Sequence, residues 1–574
     1  MDMKRQVFLF AVAAIAAAFA APFAPVAEGD IAVGATWGTA NPPGVDDSVT
    51  IDRSGTYTAS ADLSIQAITV TAANVTFDFR ATPSRKIELL STKEHLFERA
   101  TPSDSTNTFM GGLWNCPNNT GEAAFFVAQA NKHRQVVNLT DGCVVSNVNR
   151  ALIYYSNGTR LSLSGGSRIY AKEFMASYRT GTGCMVEVTD GSSIICSQSL
   201  YLDTGVAGDA ACGRSSVYVT GPGSSVVSKN GYVSQLYPGC SLTVANGATA
   251  NFSYLIVGGD KAFAIDGLLA VTNGATVTVD NTLTVRGAGD TVLVDDASLS
   301  FNTLNLGGCG IFRMRGSAAS VTGIVEKGNA YDFFATGATN ALFSIEGGAV
   351  FNNTTLSRYL QLAYGCTGCV TRVTGTGSKL AVYDGAETLT YGLEGQSNRL
   401  EVLEGGTLDI GQLRISGRGN VLAVSNATVK CTTGNGTWEA GFVKAGKTMP
   451  TNALIVLQGA APRFETSNSL SMNHGARLRW EIPREGYASG YVPVSVRSLD
   501  GSGVNGGIEI ECREFSERTG GRLVLAQMET VTKSLTSWVA AAVPTLPADC
   551  TLAIEGTDLV LSCPRRKGTT VILR

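Results

Sequence analysis

A short turn pattern recurs along most of the chain. It consists of an apolar residue, two further residues and a glycine, and it occurs at Leu139–Gly142, Leu163–Gly166, Val188–Gly191, Val244–Gly247, Val271–Gly274, Ile345–Gly348 and Leu403–Gly406. Successive glycines of the pattern, such as Gly142 and Gly166 or Gly247 and Gly274, follow each other at a spacing near that of known solenoid repeats. Self-similarity of this kind is typical of a solenoid, in which each repeat packs only on its neighbours.

The segments between the turns alternate apolar and polar residues. The apolar positions of one such region are Val277, Val279, Leu283, Val285, Val292, Val294, Leu299, Phe301, Leu304 and Leu306. A period of two predicts short β-strands with one buried and one solvated face. About three such strands fit between successive turns, so the predicted fold is all-β, a parallel β-helix (β-solenoid) with about three strands per coil.

A second, longer similarity fixes the expected register of the coils. The segment 281–290, which ends in Asp290, resembles the segment 412–420, which ends in Asn420, in the order and spacing of its residues. Stacked coils place like residues above one another, so we expect apolar rows inside and Asn or Gly rows at the corners. Greek-key sandwiches also have short alternating strands, but they do not require the same turn in every repeat.

Residues 1–20 have the layout of a secretory signal peptide. Lys4 and Arg5 precede an apolar run at 7–19, and small residues place the expected cleavage after Ala20. The run is short for a permanent membrane helix, so we expect no transmembrane segment after cleavage. The remaining chain divides into a lead-in or cap at 21–45, the solenoid at 46–480, and a C-terminal β cap with a basic tail at 481–574. A cap is expected because an exposed apolar end would aggregate.

Composition and cysteine spacing argue against a nucleic acid partner and against a zinc site. Charged residues make up 16% of the chain and the formal net charge is -3, without the basic stripe that nucleic acid binding requires. We therefore expect no nucleic acid partner. The 13 cysteines include one CxxC, at Cys366 and Cys369, and the three histidines lie far from it in sequence. We expect buried or locally paired cysteines rather than a zinc site, and no cofactor.

The opening of the predicted solenoid resembles a known group of proteins. The run Pro42-Pro-Gly-Val-Asp-Asp-Ser-Val-Thr-Ile51, followed by Ala61–Ile65, looks like the first coil of bacterial surface and autotransporter-passenger β-helices of pectin-lyase-like architecture. This resemblance implies a right-handed coil and a surface setting, but no activity. Self-translocating members end in a membrane barrel, for which the segment after about residue 480 is too short.

Polysaccharide lyases and hydrolases share this architecture and need convergent carboxylates, so pairs of acids are the relevant signal. The adjacent acids are Asp46 with Asp47 and Asp295 with Asp296, and each pair sits at a turn of the repeat. Neighbours on a strand point to opposite faces, so neither pair is expected to converge. We predict no catalytic residue from the sequence. An enzyme would be favoured if several acids and a Lys or Arg met in one groove across adjacent coils.

Aromatic residues are the remaining hint of a binding site. Trp114 lies in a less regular segment, and Tyr154, Tyr155, Tyr170 and Tyr178 cluster within two coils. Aromatic rings stack on sugars as well as on each other, so these five residues are candidate glycan contacts, with internal or edge packing as the alternative.

These observations predict an exported cell-surface or extracellular protein, with the periplasm as an alternative location. Its role is expected to be non-catalytic, adhesin-like or structural, with surface glycans or other cell-surface components as partners. The alternative hypothesis is a polysaccharide-active lyase or glycoside hydrolase.

Overall fold

The computed structural model describes residues 23–92, 104–118, 124–125, 135–154, 158–178, 182–202, 213–234, 238–259, 265–323, 331–332, 334, 336–353, 359–382, 388–431, 438–442, 452–501, 506–512, 521–547 and 549–564. The predicted signal peptide, residues 1–20, lies outside these ranges.

A parallel sheet of 19 strands runs along most of the described chain and forms the first side of the coils. Its strands are Gly29–Asp30, Gly55–Thr58, Val75–Asp78, Ser105–Met110, Gln135–Thr140, Arg160–Leu163, Met185–Val188, Ser216–Thr220, Ser241–Ala245, Leu268–Thr272, Thr291–Asp295, Ile311–Arg315, Leu342–Glu346, Val370–Thr374, Arg399–Leu403, Val421–Ser425, Leu454–Gln458, Arg477–Glu481 and Gly507–Glu511. Each strand pairs in parallel with the next in this order. The predicted parallel β-solenoid is confirmed.

The length of a coil varies while the stacking is maintained. Thr291 pairs with Ile311 across a short coil, whereas Val421 pairs with Leu454 across a coil more than half as long again. Parallel pairing cannot be closed by a tight hairpin, and each of these connections includes at least one further strand. The extra residues of a long coil therefore lie in its connections rather than in the sheets.

The second sheet has 22 strands. They are Leu63–Ile65, Lys86–Leu89, Leu113–Cys116, Ala124–Phe125, Val144–Asn147, Arg150–Tyr154, Arg168–Tyr178, Ser193–Tyr201, Ser225–Val233, Thr249–Val257, Thr276–Val285, Ser298–Leu306, Ser320–Gly323, Val350–Asn353, Lys379–Val382, Thr407–Ile410, Thr428–Lys430, Arg463–Glu465, Val494–Val496, Gly521–Met528, Thr551–Glu555 and Asp558–Cys563. In the region 168–306 its strands have 9 to 11 residues, and several contain a register shift partway.

Beyond residue 323 the second half of each long strand is replaced by a separate strand. These strands form a third, seven-stranded parallel sheet made of Tyr331–Asp332, Tyr359–Leu362, Thr388–Tyr391, Gln412–Ser416, Trp438–Phe442, Leu470–Met472 and Leu499–Asp500. A two-stranded sheet, Ser48–Ile51 with Ala67–Val70, lies near the N-terminal end. About three strands per coil, as predicted, therefore describes the C-terminal part, whereas the middle part uses two longer ones.

The interior is filled by the apolar positions of the alternating pattern. The ten residues from Val277 to Leu306 that the pattern assigned to the core are at most 2% exposed. Val277 pairs with Leu299 in the next coil, and Val279 with Phe301, so each apolar position stacks on another. The core is thus a set of continuous rows along the rod, as expected from period-two strands.

One corner of the coil carries a continuous row of small or polar residues, which we call the corner ladder. Its members immediately precede the first-sheet strands and are Thr159, Cys184, Ser215, Cys240, Gly267, Asp290, Gly310, Ala341, Cys369, Asn398, Asn420, Ala453, Ala476 and Gly506. From Cys184 onward, the backbone N–H after each member donates to the carbonyl of the member one coil earlier, as Ile311 does to Asp290 at 2.8 Å. Asp290 and Asn420 occupy equivalent positions, which confirms the register expected from their similar segments.

The recurrent turns use left-handed backbone conformations. At Asn246 and Gly247 φ is 54° and 79°, and at Asn273 and Gly274 it is 52° and 74°. Glycine and, at lower cost than other residues, asparagine adopt these angles, which explains the recurrent Asn-Gly.

The N-terminal end of the rod is covered by a short 3-10 helix, Gly34–Trp37. Trp37 is 5% exposed, and its indole N–H donates to the Ile31 carbonyl at 2.9 Å. Phe23 forms a parallel bridge with Val49 and packs edge-on against Trp37. These residues fall in the segment predicted as a lead-in or cap.

At the other end, parallel pairing continues to Gly507–Glu511 in the first sheet and to Gly521–Met528 in the second, both inside the segment that was predicted as the cap. The strand Gly521–Met528 then pairs in antiparallel fashion with Asp558–Cys563, which pairs in antiparallel fashion with Thr551–Glu555. An α-helix, Lys533–Ala542, and a 3-10 turn, Val543–Thr545, lie between these strands.

The helix closes the last coil with its apolar face. Leu535, Trp538, Val539 and Ala542 are buried, and a Cβ added at Gly501 would lie 2.6 Å from the Trp538 ring. The side chain of Thr532 caps the helix by accepting a hydrogen bond from the Leu535 N–H at 3.2 Å. An α-helix therefore covers the apolar end, whereas the predicted cap consisted of β structure alone.

Candidate functional site

Trp114 is an interior residue. It is fully buried, and its ring lies 5.0 Å from Phe77, 5.6 Å from Phe79 and 5.1 Å from Phe109, measured between ring centroids. It pairs with Ile87 and Val145 in the neighbouring coils, so it belongs to a core row. The expectation that Trp114 contacts a glycan does not hold, because the strand Leu113–Cys116 is regular and points this ring inward.

Of the four predicted tyrosines, the structure describes the side chain of Tyr170. Tyr154 and Tyr178 occupy paired backbone positions in neighbouring coils. Tyr170 is half-buried earlier in the same strand as Tyr178, where it pairs with Ile195. Tyr155 lies outside the described residues. A glycan platform formed by all four side chains stays a prediction.

A tyrosine pair that the sequence reading missed lies in the following coils. Tyr201 and Tyr232 are in register, and their rings are stacked with centroids 4.7 Å apart and planes 7° apart. Burial raises the pKa of Tyr232, and the nearby Tyr201 and Glu173 raise it further. Each ring covers one face of the other, and Met175 and Ile256 occupy the register positions in the coils on either side. We interpret it as a packing contact.

An uncharged polar surface covers four successive strands of the second sheet. We call it the hydroxyl face, and its eight residues are Thr249, Asn251, Thr276, Thr278, Ser298, Ser300, Ser320 and Thr322. Each strand contributes two of them, which flank a buried apolar residue such as Val277. The eight side chains form two rows, with strands about 4.8 Å apart and residues about 6.7 Å apart within a strand.

The polar groups of the hydroxyl face point outward. Thr249, Asn251, Thr276, Ser320 and Thr322 are exposed, and the other three residues are half-buried. Within the described residues, none of the eight side chains makes a hydrogen bond to another part of the chain. The face therefore offers regularly spaced hydroxyl and amide groups to an external partner.

A groove lies near the C-terminal end of the second sheet, and we call it the C-terminal groove. It encloses about 490 Å³ and is lined by Lys430, Cys431, Glu465, Thr466, Ser467, Ser495, Val496, Gln527, Met528 and Glu529. Lys430 pairs with Glu465, Glu465 with Ser495, and Ser495 with Gln527 in successive strands. The groove thus gathers residues that lie far apart in sequence.

Ion pairs set the charge of the groove. Asp409, one coil before Lys430, has a side chain that is only 2% exposed, and it forms ion pairs with Lys379 at 2.9 Å and with Lys430 at 3.9 Å. Glu465 pairs with Arg463, and Glu529 lies 3.9 Å from Arg497. Each of these three carboxylates is therefore compensated by a cation.

The adjacent acids identified in the sequence have turn and surface roles. Asp47 accepts a hydrogen bond from the Gly44 N–H at 2.7 Å, and Asp296 accepts one from the Ala318 N–H at 2.9 Å. Asp295 forms an ion pair with Arg315 in the next coil. Neither pair converges on a shared site, as expected.

The described cysteines are mostly buried thiols of the core. The thiols of Cys366 and Cys369 donate to the carbonyls of Tyr364, at 3.2 Å, and Ala338, at 3.5 Å. Burial raises the pKa of Cys196 to about 12, which keeps it protonated. A disulfide joins Cys550 to Cys563 in the C-terminal cap. The described ranges hold no group of three or more His, Cys, Asp and Glu side chains that could bind a metal ion.

No model of a known protein family matches the chain, and searches of curated proteins and of solved structures found no similar protein. Among the described helices, none has both the length and the apolar character needed to cross a membrane. The structure therefore identifies the fold class of the protein, which is a parallel β-solenoid.

Proposed function

We propose that the protein is an exported, non-catalytic, adhesin-like β-solenoid of the cell surface that binds a neutral polysaccharide through the hydroxyl face. The observation that carries the proposal is the two rows of uncharged polar side chains without hydrogen-bond partners among the described residues. Such groups are free to exchange water for the hydroxyls of a sugar chain.

The energetics favour a long, repetitive and uncharged ligand. A single neutral hydrogen bond contributes only about 0.5–1.5 kcal/mol, so affinity has to come from many contacts in parallel. A rigid face with a regular spacing supplies these contacts without ordering flexible loops on binding. It also avoids the desolvation of charged groups. A polysaccharide chain or a packed polysaccharide surface meets these requirements.

The binding proposal is tested with the purified mature chain and a panel of insoluble neutral polysaccharides. We expect at least one to retain the protein, and we expect Thr278→Lys to weaken retention about tenfold or more, because a charge would enter the contact. The matched control is Thr243→Lys, on the first sheet one turn earlier, which should bind like the wild type. Equal binding by both variants, or no binding to any polysaccharide, would refute the hydroxyl face as the site.

The N-terminal sequence features and the Cys550–Cys563 disulfide support export, because disulfides persist in oxidising compartments. Cell fractionation is expected to find the protein outside the cytoplasm, with its N-terminus at position 21. A cytoplasmic pool with an intact N-terminus would contradict this part of the proposal.

A polysaccharide-active enzyme is the second candidate function. The C-terminal groove favours it, because Lys430, Glu465 and Glu529 from different coils line it together. Asp409 occupies the position paired with Lys430 one coil earlier. General acid and base chemistry uses such groups. The test is release of reducing ends or of unsaturated products from a panel of polysaccharides, and activity is expected to disappear in Glu465→Gln. Absence of cleavage together with binding would leave the non-catalytic function.

A further inference from the structure

We propose that Asp290 makes the corner ladder sensitive to pH, so that the coils around it are held more tightly in mildly acidic surroundings than at neutral pH. The proposal goes beyond polysaccharide binding and concerns how the fold itself responds to its environment. It rests on the enclosure of this one side chain and on its comparison with the equivalent corner at Asn420.

The Asp290 carboxyl group is enclosed. The residue is fully buried, and it accepts hydrogen bonds from the Gly267 N–H at 2.7 Å and from the Gly287 N–H. A Cβ added at Gly258 would lie 1.6 Å from one carboxyl oxygen, and one at Gly267 would lie 3.0 Å from the other. Glycines therefore make room for the carboxyl group, which fits closely against their backbone.

The equivalent corner position holds a neutral amide in the same arrangement. Asn420 accepts a hydrogen bond from the Asn398 N–H at 2.8 Å, just as Asp290 accepts one from Gly267 in the preceding coil. A Cβ added at Gly392 would lie 2.1 Å from the Asn420 amide nitrogen, so Gly392 corresponds to Gly258. The fold therefore accommodates an uncharged side chain of this shape.

The amide also donates hydrogen bonds that an ionised carboxylate cannot make. Asn420 Nδ2 donates to the carbonyls of Gly392, at 3.0 Å, and Ser416. The residues at the corresponding places near Asp290 are Gly258 and Arg286. A protonated Asp290 has an O–H that can donate to one of these carbonyls, whereas the ionised form buries an acceptor-only charge beside them.

Among the described residues, the charged neighbour that shifts the pKa of Asp290 opposes its ionisation. Asp266, in the corner of the preceding coil, adds a second negative charge. Arg286 is the charged residue of the same corner, and it is exposed. In the following coil the corner is 307–310, whose titratable residue is Cys309. Burial and then the charge of Asp266 raise the pKa of Asp290 to about 6, against the hydrogen bonds from Gly267 and Gly287.

The direction of the pH effect follows from this raised pKa. Well below the ordinary pKa of 3.8 the carboxyl group is neutral in both the folded and the unfolded chain, and the folded coil has its full stability. As the pH rises from about 4 through about 6, the unfolded chain ionises more readily than the folded one, and stability is lost. Because the pKa of Asp290 is raised from 3.8 to about 6, the local folding equilibrium constant changes about 100-fold between the fully protonated and the fully ionised carboxyl group.

Hydrogen exchange between pH 4.5 and 7.5 tests the proposal, with rates corrected for the intrinsic pH dependence of exchange. We expect protection of the amides around Gly267 and Gly287 to fall with rising pH in the wild type by about tenfold or more, since part of the full change is complete below this range. Asp290→Asn should make protection nearly independent of pH. Asp280→Asn, an exposed acid on the preceding strand, should behave like the wild type.

If Asp290→Asn does not fold, hydrogen exchange of the wild type alone still tests the proposal. Protection that stays constant or rises between pH 4.5 and 7.5 would overturn the proposal. A pH dependence that persists unchanged in folded Asp290→Asn would overturn it as well, because another group would then be responsible.

Discussion

The middle of the rod and its C-terminal part have the same interior but different exteriors. In the middle, the hydroxyl face extends over four strands of the second sheet and consists of uncharged side chains. In the C-terminal part, ion pairs join neighbouring coils on both sheets, as between Arg372 and Glu401 on the first and Lys379 and Asp409 on the second. In the coils of the hydroxyl face, the ion pair of Asp295 and Arg315 lies on the first sheet. The core rows continue through both parts.

The comparison indicates that stacking depends on the inward residues, whereas the outward residues are free to serve binding. An outward side chain that contacts the chain itself adds local stability, and one without internal contacts is available to a partner. The following predictions measure how far this separation holds.

The largest effect is expected from a charge placed in the core of the middle part. Val279 is 1% exposed, so Val279→Asp buries an unpaired carboxylate and should cost more than about 4 kcal/mol of local stability. Its neighbour Thr278 points outward, and Thr278→Asp should cost less than about 0.5 kcal/mol. Thermal unfolding and hydrogen exchange measure both. Similar losses in the two variants would remove the distinction between interior and exterior.

A smaller effect is expected at the C-terminal cap, whose contacts are not repeated elsewhere in the described part of the rod. The Cys550–Cys563 disulfide closes a loop with a sequence separation of 13. Replacing both cysteines by serine should destabilise the cap by about 2–3 kcal/mol. Hydrogen exchange should increase in 521–563 and stay unchanged in the middle part. Unchanged protection of the cap would indicate that this bond does not stabilise it.

The smallest effect is expected from the ion pairs of the C-terminal part. Glu401 accepts hydrogen bonds from Arg372 at 2.8 Å and Arg399 at 2.9 Å. Burial alone would raise the pKa of Glu401, but these two arginines lower it below its usual value. We expect Glu401→Gln to cost about 1–2 kcal/mol at neutral pH.

The pH dependence of this loss has a definite sign. Because the pKa of Glu401 is lowered in the folded chain, its contribution is present above the unfolded value near 4.5 and is lost as the pH falls below it. The difference in unfolding free energy between wild type and Glu401→Gln should therefore shrink in acid. The exposed pair of Arg522 and Glu555 provides a control, since Glu555→Gln should change stability by less than about 0.5 kcal/mol.

The sequence predicts the interior well because alternation is a local property. Val277 and Val279 are assigned to the core by period two alone, and the similarity of the segments ending in Asp290 and Asn420 predicts the corner ladder. Trp114 was misjudged because its strand is short and the alternation of apolar and polar residues is weak in the sequence around it, so the local pattern did not reveal its orientation.

The groove and the tyrosine pair could not be predicted, because they depend on which residues of different coils align. Since the coils differ in length, Lys430 and Glu465, or Tyr201 and Tyr232, are not brought together by one fixed sequence separation. One sequence feature of the groove can be recognised once the structure is known. Lys430 directly follows Val429, Glu465 directly follows Phe464, and Val429 and Phe464 stack on each other in the core.

Distances between spin labels along one row test the stacking of coils most directly. Thr249 and Thr407 are distant in sequence but are linked by six register steps through Thr276, Ser298, Ser320, Val350 and Lys379. Bio-orthogonal labels at Thr249 and Thr407 should give a narrow distribution near 29 Å of backbone separation, at about 4.8 Å per step. Labels at Thr249 and Val350, four steps apart, should give about 19 Å. Broad distributions, or distances that do not grow in proportion to the number of steps, would contradict a single continuous parallel stack.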